Sequence, residues 1–252
     1  MSGHSKWHNI RLRKGKVDAQ RGALFTKVSR EIYMAARKGG PEPENNFILK
    51  VAITRARAVN MPADNIKRVI EKATGGADGE NFEEVTYEGY GPAGVAILVE
   101  AATDNRNRTA AVVRSTFSKH GGNLGETGCV AWLFERRGLL RFTQPGLDEE
   151  ALLMAALEAG ALDMKAADEA FEVLTEPSDL HAVKDALEAA GFPSDEVEIT
   201  QLPKTSVDLA RGDVPTVLRL MEALEDLDDV QNVHANFDIP ADVLEELQAE
   251  SR

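Results

Sequence analysis

The chain has 252 residues, 43% of them hydrophobic and 28% charged, which suits a soluble protein with two or three domain cores. No run approaches the roughly 18 apolar residues that span a bilayer, and the most apolar run, Val95 to Val99, has strand length. No secretory core follows Met1, and a single cysteine, Cys129, excludes an internal disulfide framework and a cysteine-based zinc site. A reducing, cytoplasmic setting without membrane contact is expected.

The formal net charge of −13 is unevenly spread. From Met1 to Asp78, 16 Lys and Arg stand against 7 Asp and Glu, a net of +9. The remaining residues hold 13 against 35, a net of −22. Such a split points to a polyanion-binding end on an acidic body that keeps the protein soluble and repels phosphate elsewhere.

In chain order, residues 1–16 carry Lys6, Arg11, Arg13, Lys14 and Lys16 without an acid, and read as an arm that orders on binding. A transit peptide would also be basic, but this segment lacks the amphipathic Ser/Leu pattern and runs straight into a helix. That helix has Leu24, Phe25, Val28, Ile32 and Ala36 on one face, with Lys27, Arg30, Arg37 and Lys38 opposite. Gly39-Gly40-Pro41 ends it. A second helix is expected from about Asn46 to Val59, with Leu49, Ala52, Ile53 and Ala56 inward and Lys50, Arg55 and Arg57 elsewhere. A third opens at Pro62, packs Ile66, Val69, Ile70 and Ala73, and ends at Gly75-Gly76 before a linker to Glu80.

From Glu84 the pattern changes to a β-hairpin, Glu84 to Glu88 and Gly94 to Ala101, turned by Gly89-Tyr90-Gly91-Pro92. A helix from Thr109 to Lys119 follows, and Cys129 to Phe134 reads as a buried strand. Residues 138–202 then show strand, helix, two short strands, helix, strand, the split-βαβ order of a ferredoxin-like domain. A helix from Pro215 to Leu227 and a strand from Val230 to Phe237 close the unit begun by the hairpin. The fold class is therefore α+β: an N-terminal three-helix bundle followed by two α/β domains, one ferredoxin-like and inserted into the other. The expected domains are 1–78, a discontinuous 79–137 plus 203–240, and the inserted acidic 138–202.

Catalysis finds little support. His4 and His8 have i, i+4 spacing but no third ligand nearby, so zinc is not indicated. Cys129 has no base placed by the sequence, and the Gly-rich pieces match neither a P-loop nor a dinucleotide fingerprint. No cofactor is implied, and the expectation is a protein that is not an enzyme. The binding candidates are His4, Lys6, Trp7, Arg11, Arg13, Lys14, Lys16, Arg21, Lys27, Arg30, Arg37, Lys38, Arg55 and Arg57 in the head. Several Lys and Arg set against phosphates release counterions and give strong, salt-dependent binding. Trp7 either stacks on an unpaired base or anchors the arm to the helices. Arg106 and Arg108 form a second cluster, which either meets phosphates at a helix N-terminus or lies on a solvated turn beside a capping Asn107 or Thr109. Arg114 and Lys119 extend that strip.

Several blocks carry a family likeness: Gly3 to Trp7, Arg21 to Lys27, Asn60 to Ile66, Tyr87 to Pro92, Thr103 to Thr109 and Phe117 to Gly125. In this order they resemble the YebC/PmpR family over essentially the whole chain. The chain departs from the family within Trp7 to Arg13, where many members have a small residue after the tryptophan and a lysine-histidine pair near the end. The resemblance implies a helical bundle followed by two α/β domains around a cleft. It also implies one of two roles. Members were first described as DNA-binding transcriptional regulators; mitochondrial relatives activate translation, and bacterial relatives look like factors that rescue ribosomes stalled on proline-rich nascent chains. The resemblance makes ribosomal RNA on the ribosome the expected partner; charge dispersed over an arm and several helices, with no helix spacing Arg, Asn or Gln to read a major groove, fits the backbone and shape of folded RNA. Promoter DNA is the alternative.

Overall fold

Apolar spacing of three and four residues produces three helices at the start of the computed structural model, which describes residues 19–75, 82–167 and 170–249. They are α1 (Ala19–Gly39), α2 (Phe47–Ala58) and α3 (Ala63–Thr74). Val28, Ile32, Ala35 and Ala36 of α1 pack on Leu49, Ala52, Ile53 and Ala56 of α2, with Met61 and Ile66 closing the core. Leu24, expected on the inner face, is exposed. Asn46 fixes the α1–α2 corner: its side-chain oxygen accepts from Leu49 N at 3.1 Å, and its amide donates to Ala35 O at 2.8 Å and Gly40 O at 2.9 Å. Gly40 takes a φ of +89° there, which favours glycine.

The hairpin follows as β1 (Glu83–Tyr90) and β2 (Ala96–Thr103), paired antiparallel from Glu83–Thr103 to Tyr90–Ala96. Next come α4 (Arg106–Lys119), the two-residue β3 (Asn123–Leu124), β8 (Val207–Asp208), α7 (Val214–Glu225), β9 (Val230–Ala235), β10 (Phe237–Asp238) and α8 (Ala241–Ala249). The sheet order is β3-β1-β2-β9. Val95, Ile97 and Val99 on and beside β2 meet Val113 and Phe117 of α4 and the apolar face of α7 in one core. Val243 and Leu244 of α8 join that core, an element the sequence reading did not anticipate. The helices of the head and this sheet belong to one compact unit, Ser2–Leu133 with Pro203–Arg252.

The other unit is Phe134–Leu202. It contains β4 (Phe134–Phe142), α5 (Glu149–Glu158), β5 (Asp163–Ala167), β6 (Ala170–Thr175), α6 (Leu180–Ala189) and β7 (Glu196–Pro203). The sheet order β5-β6-β4-β7 with two crossover helices is the ferredoxin-like arrangement. Alternation along β4 turns Leu140 and Phe142 into the core and Arg137 and Arg141 to the opposite face. There Arg141 lies 3.0 Å from Glu172 and 3.3 Å from Glu196, while Arg137 meets Glu135 at 3.0 Å and Glu176 at 2.8 Å.

Two local expectations need correction. The buried strand expected from Cys129 to Phe134 does not form. Ala131–Leu133 make a single tight turn, Trp132 is exposed, and the strand begins at Phe134 and continues to Phe142. The backbone N–H groups of Val130 and Ala131 are taken by the Glu88 carboxylate rather than by a neighbouring strand. The helix expected from Thr109 starts at Arg106, capped by Asn105, whose side chain accepts from Arg108 N at 3.1 Å.

Candidate functional site

The arm residues His4, Lys6, Trp7, Arg11, Arg13, Lys14 and Lys16 lie outside the described residues, as does the Arg21 side chain. The basic face of α1 is engaged within the protein. Lys27 donates to Glu225 O, and Arg30 donates to Asp228 O and pairs with Asp229 at 3.0 Å. The Arg30 guanidinium also stacks over Phe82, 5.2 Å from the ring centre. Arg37 donates to the Tyr33 hydroxyl at 2.8 Å, Lys38 pairs with Glu84 at 2.6 Å, and Arg55 with Glu31 at 3.1 Å. Arg57 is exposed. So are Lys50, one face of α2 with it at i, i+7, and Arg68 on α3. Among the described residues, no carboxylate pairs with Lys50, Arg57 or Arg68. Arg106 reaches Glu83 at 3.6 Å, and Arg108 is held by Asp104 at 2.6 Å and Asp229 at 3.0 Å. Farther along α4, Arg114 and Lys119 are exposed, and the helix has no acid from Arg106 to Lys119.

Asp229 is the meeting point of the head and the sheet. Its Oδ2 accepts from the Thr109 hydroxyl at 2.6 Å and from Arg108 at 3.0 Å, while Oδ1 faces Arg30. Burial pushes its carboxyl up, but the Thr109 and Arg108 donors and the Arg30 charge outweigh that and hold it below its ordinary value. Thr109, which with Asn107 is the capping alternative in the sequence, is buried in this cluster, and its hydroxyl also contacts Thr103 at 2.8 Å.

A second built feature surrounds Glu88. Its carboxylate is buried under the loop Gly125–Ala131 and accepts from Gly128 N at 2.7 Å, Val130 N at 2.8 Å and Ala131 N at 2.7 Å. Burial raises this carboxyl, and the three backbone donors together bring it below the usual carboxylate range. The loop is closely fitted: Gly125 N donates to Glu88 O at 2.8 Å, and a Cβ on Gly122 would stand 2.8 Å from Tyr90 O. Tyr90 and Trp132 flank it, their hydroxyl and indole N–H donating to Cys129 O at 3.1 and 3.2 Å. Desolvation, reinforced by the Glu88 charge, raises the Cys129 thiol, so it stays protonated near neutrality and is a poor nucleophile.

Sequence-family models match both parts of the chain. Residues 5–76 match the TACO1/YebC protein N-terminal domain and residues 82–237 the TACO1/YebC second and third domain. The chain belongs to the TACO1/YebC family. Among relatives of this TACO1/YebC protein, a probable transcriptional regulatory protein of Trichlorobacter lovleyi is 53% identical over 98% of this chain and all of its own length. One of Geobacter sp. (strain M21) is 52% identical with the same coverage. The crystal structure of a conserved hypothetical protein from Aquifex aeolicus matches with a TM-score of 0.81 at 50% identity, covering 89% of this chain and 93% of that one.

Sequence reasoning missed Asp229 and Glu88 because each looks like one acid among many. Local pattern hid Glu88 as well: it shares the phase of exposed Glu84, Thr86 and Tyr90, opposite Tyr87 and Gly89, which face the core. Among the described residues, no three His, Cys, Asp or Glu gather where a metal ion would be held, and no helix is long and apolar enough to cross a membrane.

Proposed function

We propose that this protein is a non-catalytic nucleic-acid-binding factor that acts in the cytoplasm on the ribosome, its head docking on ribosomal RNA to relieve stalling on proline-rich nascent chains. The observation that carries the nucleic-acid part is the exposed, acid-free face of α2. Among the described residues, Lys50 and Arg57 stand there without carboxylate partners, within a head of net charge +9 on a remainder of −22. Cations already paired in the protein gain little from phosphate, whereas unpaired ones release counterions on docking. Arg114 and Lys119 on α4 offer a second patch of the same kind. Dispersed cations on helix faces suit the backbone and shape of folded RNA. The ribosomal assignment rests on the family resemblance.

Ribosome profiling of a deletion strain tests this reading. Pauses accumulating at proline runs support it, and unchanged pausing with altered transcript levels refutes it. A second reading, a DNA-binding transcriptional regulator, is favoured by the names of the relatives from Geobacter and Trichlorobacter. Salt-matched competition separates the two: preference for one promoter duplex over both random duplex and ribosomal RNA selects the regulator.

A further inference from the structure

Tyr90 and Trp132 are anchored to one acceptor, Cys129 O, through their only polar atoms. Both hydrogen bonds lie at the exposed surface, and the side chains, 41% and 65% exposed, present ring surface to solvent beside them. Their support is rigid. The loop between them is tied to the buried Glu88 carboxylate through three backbone N–H groups, and β3 pairs Asn123 with Tyr90. Gly122 and Gly125 let the loop sit against Tyr90 O and Cys129 Sγ, where a Cβ would collide. An indole this exposed on a fixed frame contributes little to the core.

The chain reaches this loop directly from α4, the acid-free helix with exposed Arg114 and Lys119; Asn123 lies four residues beyond Lys119. The loop that leads to Cys129 exposes Gly125, Glu126, Thr127 and Gly128, which hold one acid and form no apolar collar of the kind that surrounds a protein hot spot. The geometry points to a base-stacking platform: Tyr90 and Trp132 receive an unpaired base of single-stranded nucleic acid, and Lys119 and Arg114 meet the phosphates beside it. Exposed aromatic rings with cations nearby along the chain bind single strands this way with little sequence preference. The assignment rests on the nucleic-acid reading above and adds to it a site outside the head.

The test uses the full chain and two probes at matched salt: a short single-stranded oligouridylate carrying one 2-aminopurine, and an RNA duplex of equal length. The wild type quenches the 2-aminopurine, Trp132→Ala loses the quench and about tenfold in affinity for the single strand, and Trp132→Phe restores most of both. Duplex affinity stays unchanged in both variants. Equal single-strand affinity and quench in Trp132→Ala overturns the platform, as does an equal loss on both probes. A Trp132→Ala defect confined to crosslinks with ribosomal proteins overturns it in favour of a protein partner. Lys50→Glu with Arg57→Glu separates the two proposals. If that variant alone loses binding, the head reading stands and the platform falls; if the wild type binds neither probe, both fall.

Discussion

Arg30 on α1 and Asp229 ahead of β9 stand 3.0 Å apart, their side chains only 14% and 13% exposed, and join the head to the sheet. Asp229 is the more connected partner, because it also takes Thr109 and Arg108. Removing it leaves the mostly buried Arg30 guanidinium without its carboxylate, holding only Asp228 O and the Phe82 ring; removing Arg30 leaves the carboxylate with other donors. Asp229→Ala is therefore expected to cost about 2–4 kcal/mol and Arg30→Ala about half as much. Urea unfolding of both variants and the double mutant measures this, and the pair should couple by about 1–2 kcal/mol. Strict additivity would show that the contact contributes nothing.

Acid should loosen the unit that contains Glu88 and Asp229. Both carboxyls sit below their ordinary values of 4.5 and 3.8 in the folded protein. A group whose folded value is depressed contributes stability that is fully present above the unfolded value and is lost as pH falls through the folded one. Stability should thus hold from neutrality down to about pH 5 and then decline. Glu88→Gln should be less stable at pH 7 by about 1–2 kcal/mol, since its amide sets N–H against a backbone N–H, and should decline less in acid. Thermal unfolding from pH 7 to pH 3 reads both effects; parallel curves for wild type and variant would contradict the assignment.

Gly122 is tested by a single methyl group. A Cβ there would stand 2.8 Å from Tyr90 O and 3.0 Å from the Phe117 ring, backbone on one side and buried core on the other. Gly122→Ala should cost about 1–3 kcal/mol and displace β3 from β1. Gly212, with open space around its Cα, is the control and should tolerate alanine. Hydrogen exchange at Tyr90 and Leu124 in the two variants distinguishes local strain from a global loss.

Local patterning carried most of the fold. The apolar faces of α1 and α2, the hairpin, and the strand-helix rhythm of the ferredoxin-like unit are written in residues three, four or two positions apart. What was illegible depends on partners distant in sequence. Lys27 and Arg30 look like a solvated basic face until Glu225, Asp228 and Asp229, from the other end of the chain, arrive against them. The apolar run at Cys129 to Phe134 reads as a buried strand because nothing local reveals that Glu88 claims its N–H groups. Once those donors are engaged, the run folds as a turn and Trp132 faces out. Helix α8 was missed because Val243 and Leu244 are a short apolar pair whose core lies on β9, α7 and β10.

The same distinction between engaged and unengaged cations predicts how binding responds to charge. Lys50→Glu with Arg57→Glu alters exposed groups that no carboxylate among the described residues pairs with, and should leave stability nearly unchanged. Each removes a phosphate contact, so the slope of log affinity against log salt should fall by roughly 0.7–0.9 per residue. Arg141→Glu with Lys184→Glu alters cations tied to Glu172 and Glu196 and to Asp185 and Glu188 on the acidic unit. That pair should destabilise its own unit and leave the salt slope where it was. Fluorescence titrations of a ribosomal RNA fragment over a salt series, with thermal unfolding of each variant, separate the two results. Equal slope changes in both pairs would remove the α2 face as the docking surface, because long-range charge rather than contact would then account for the binding.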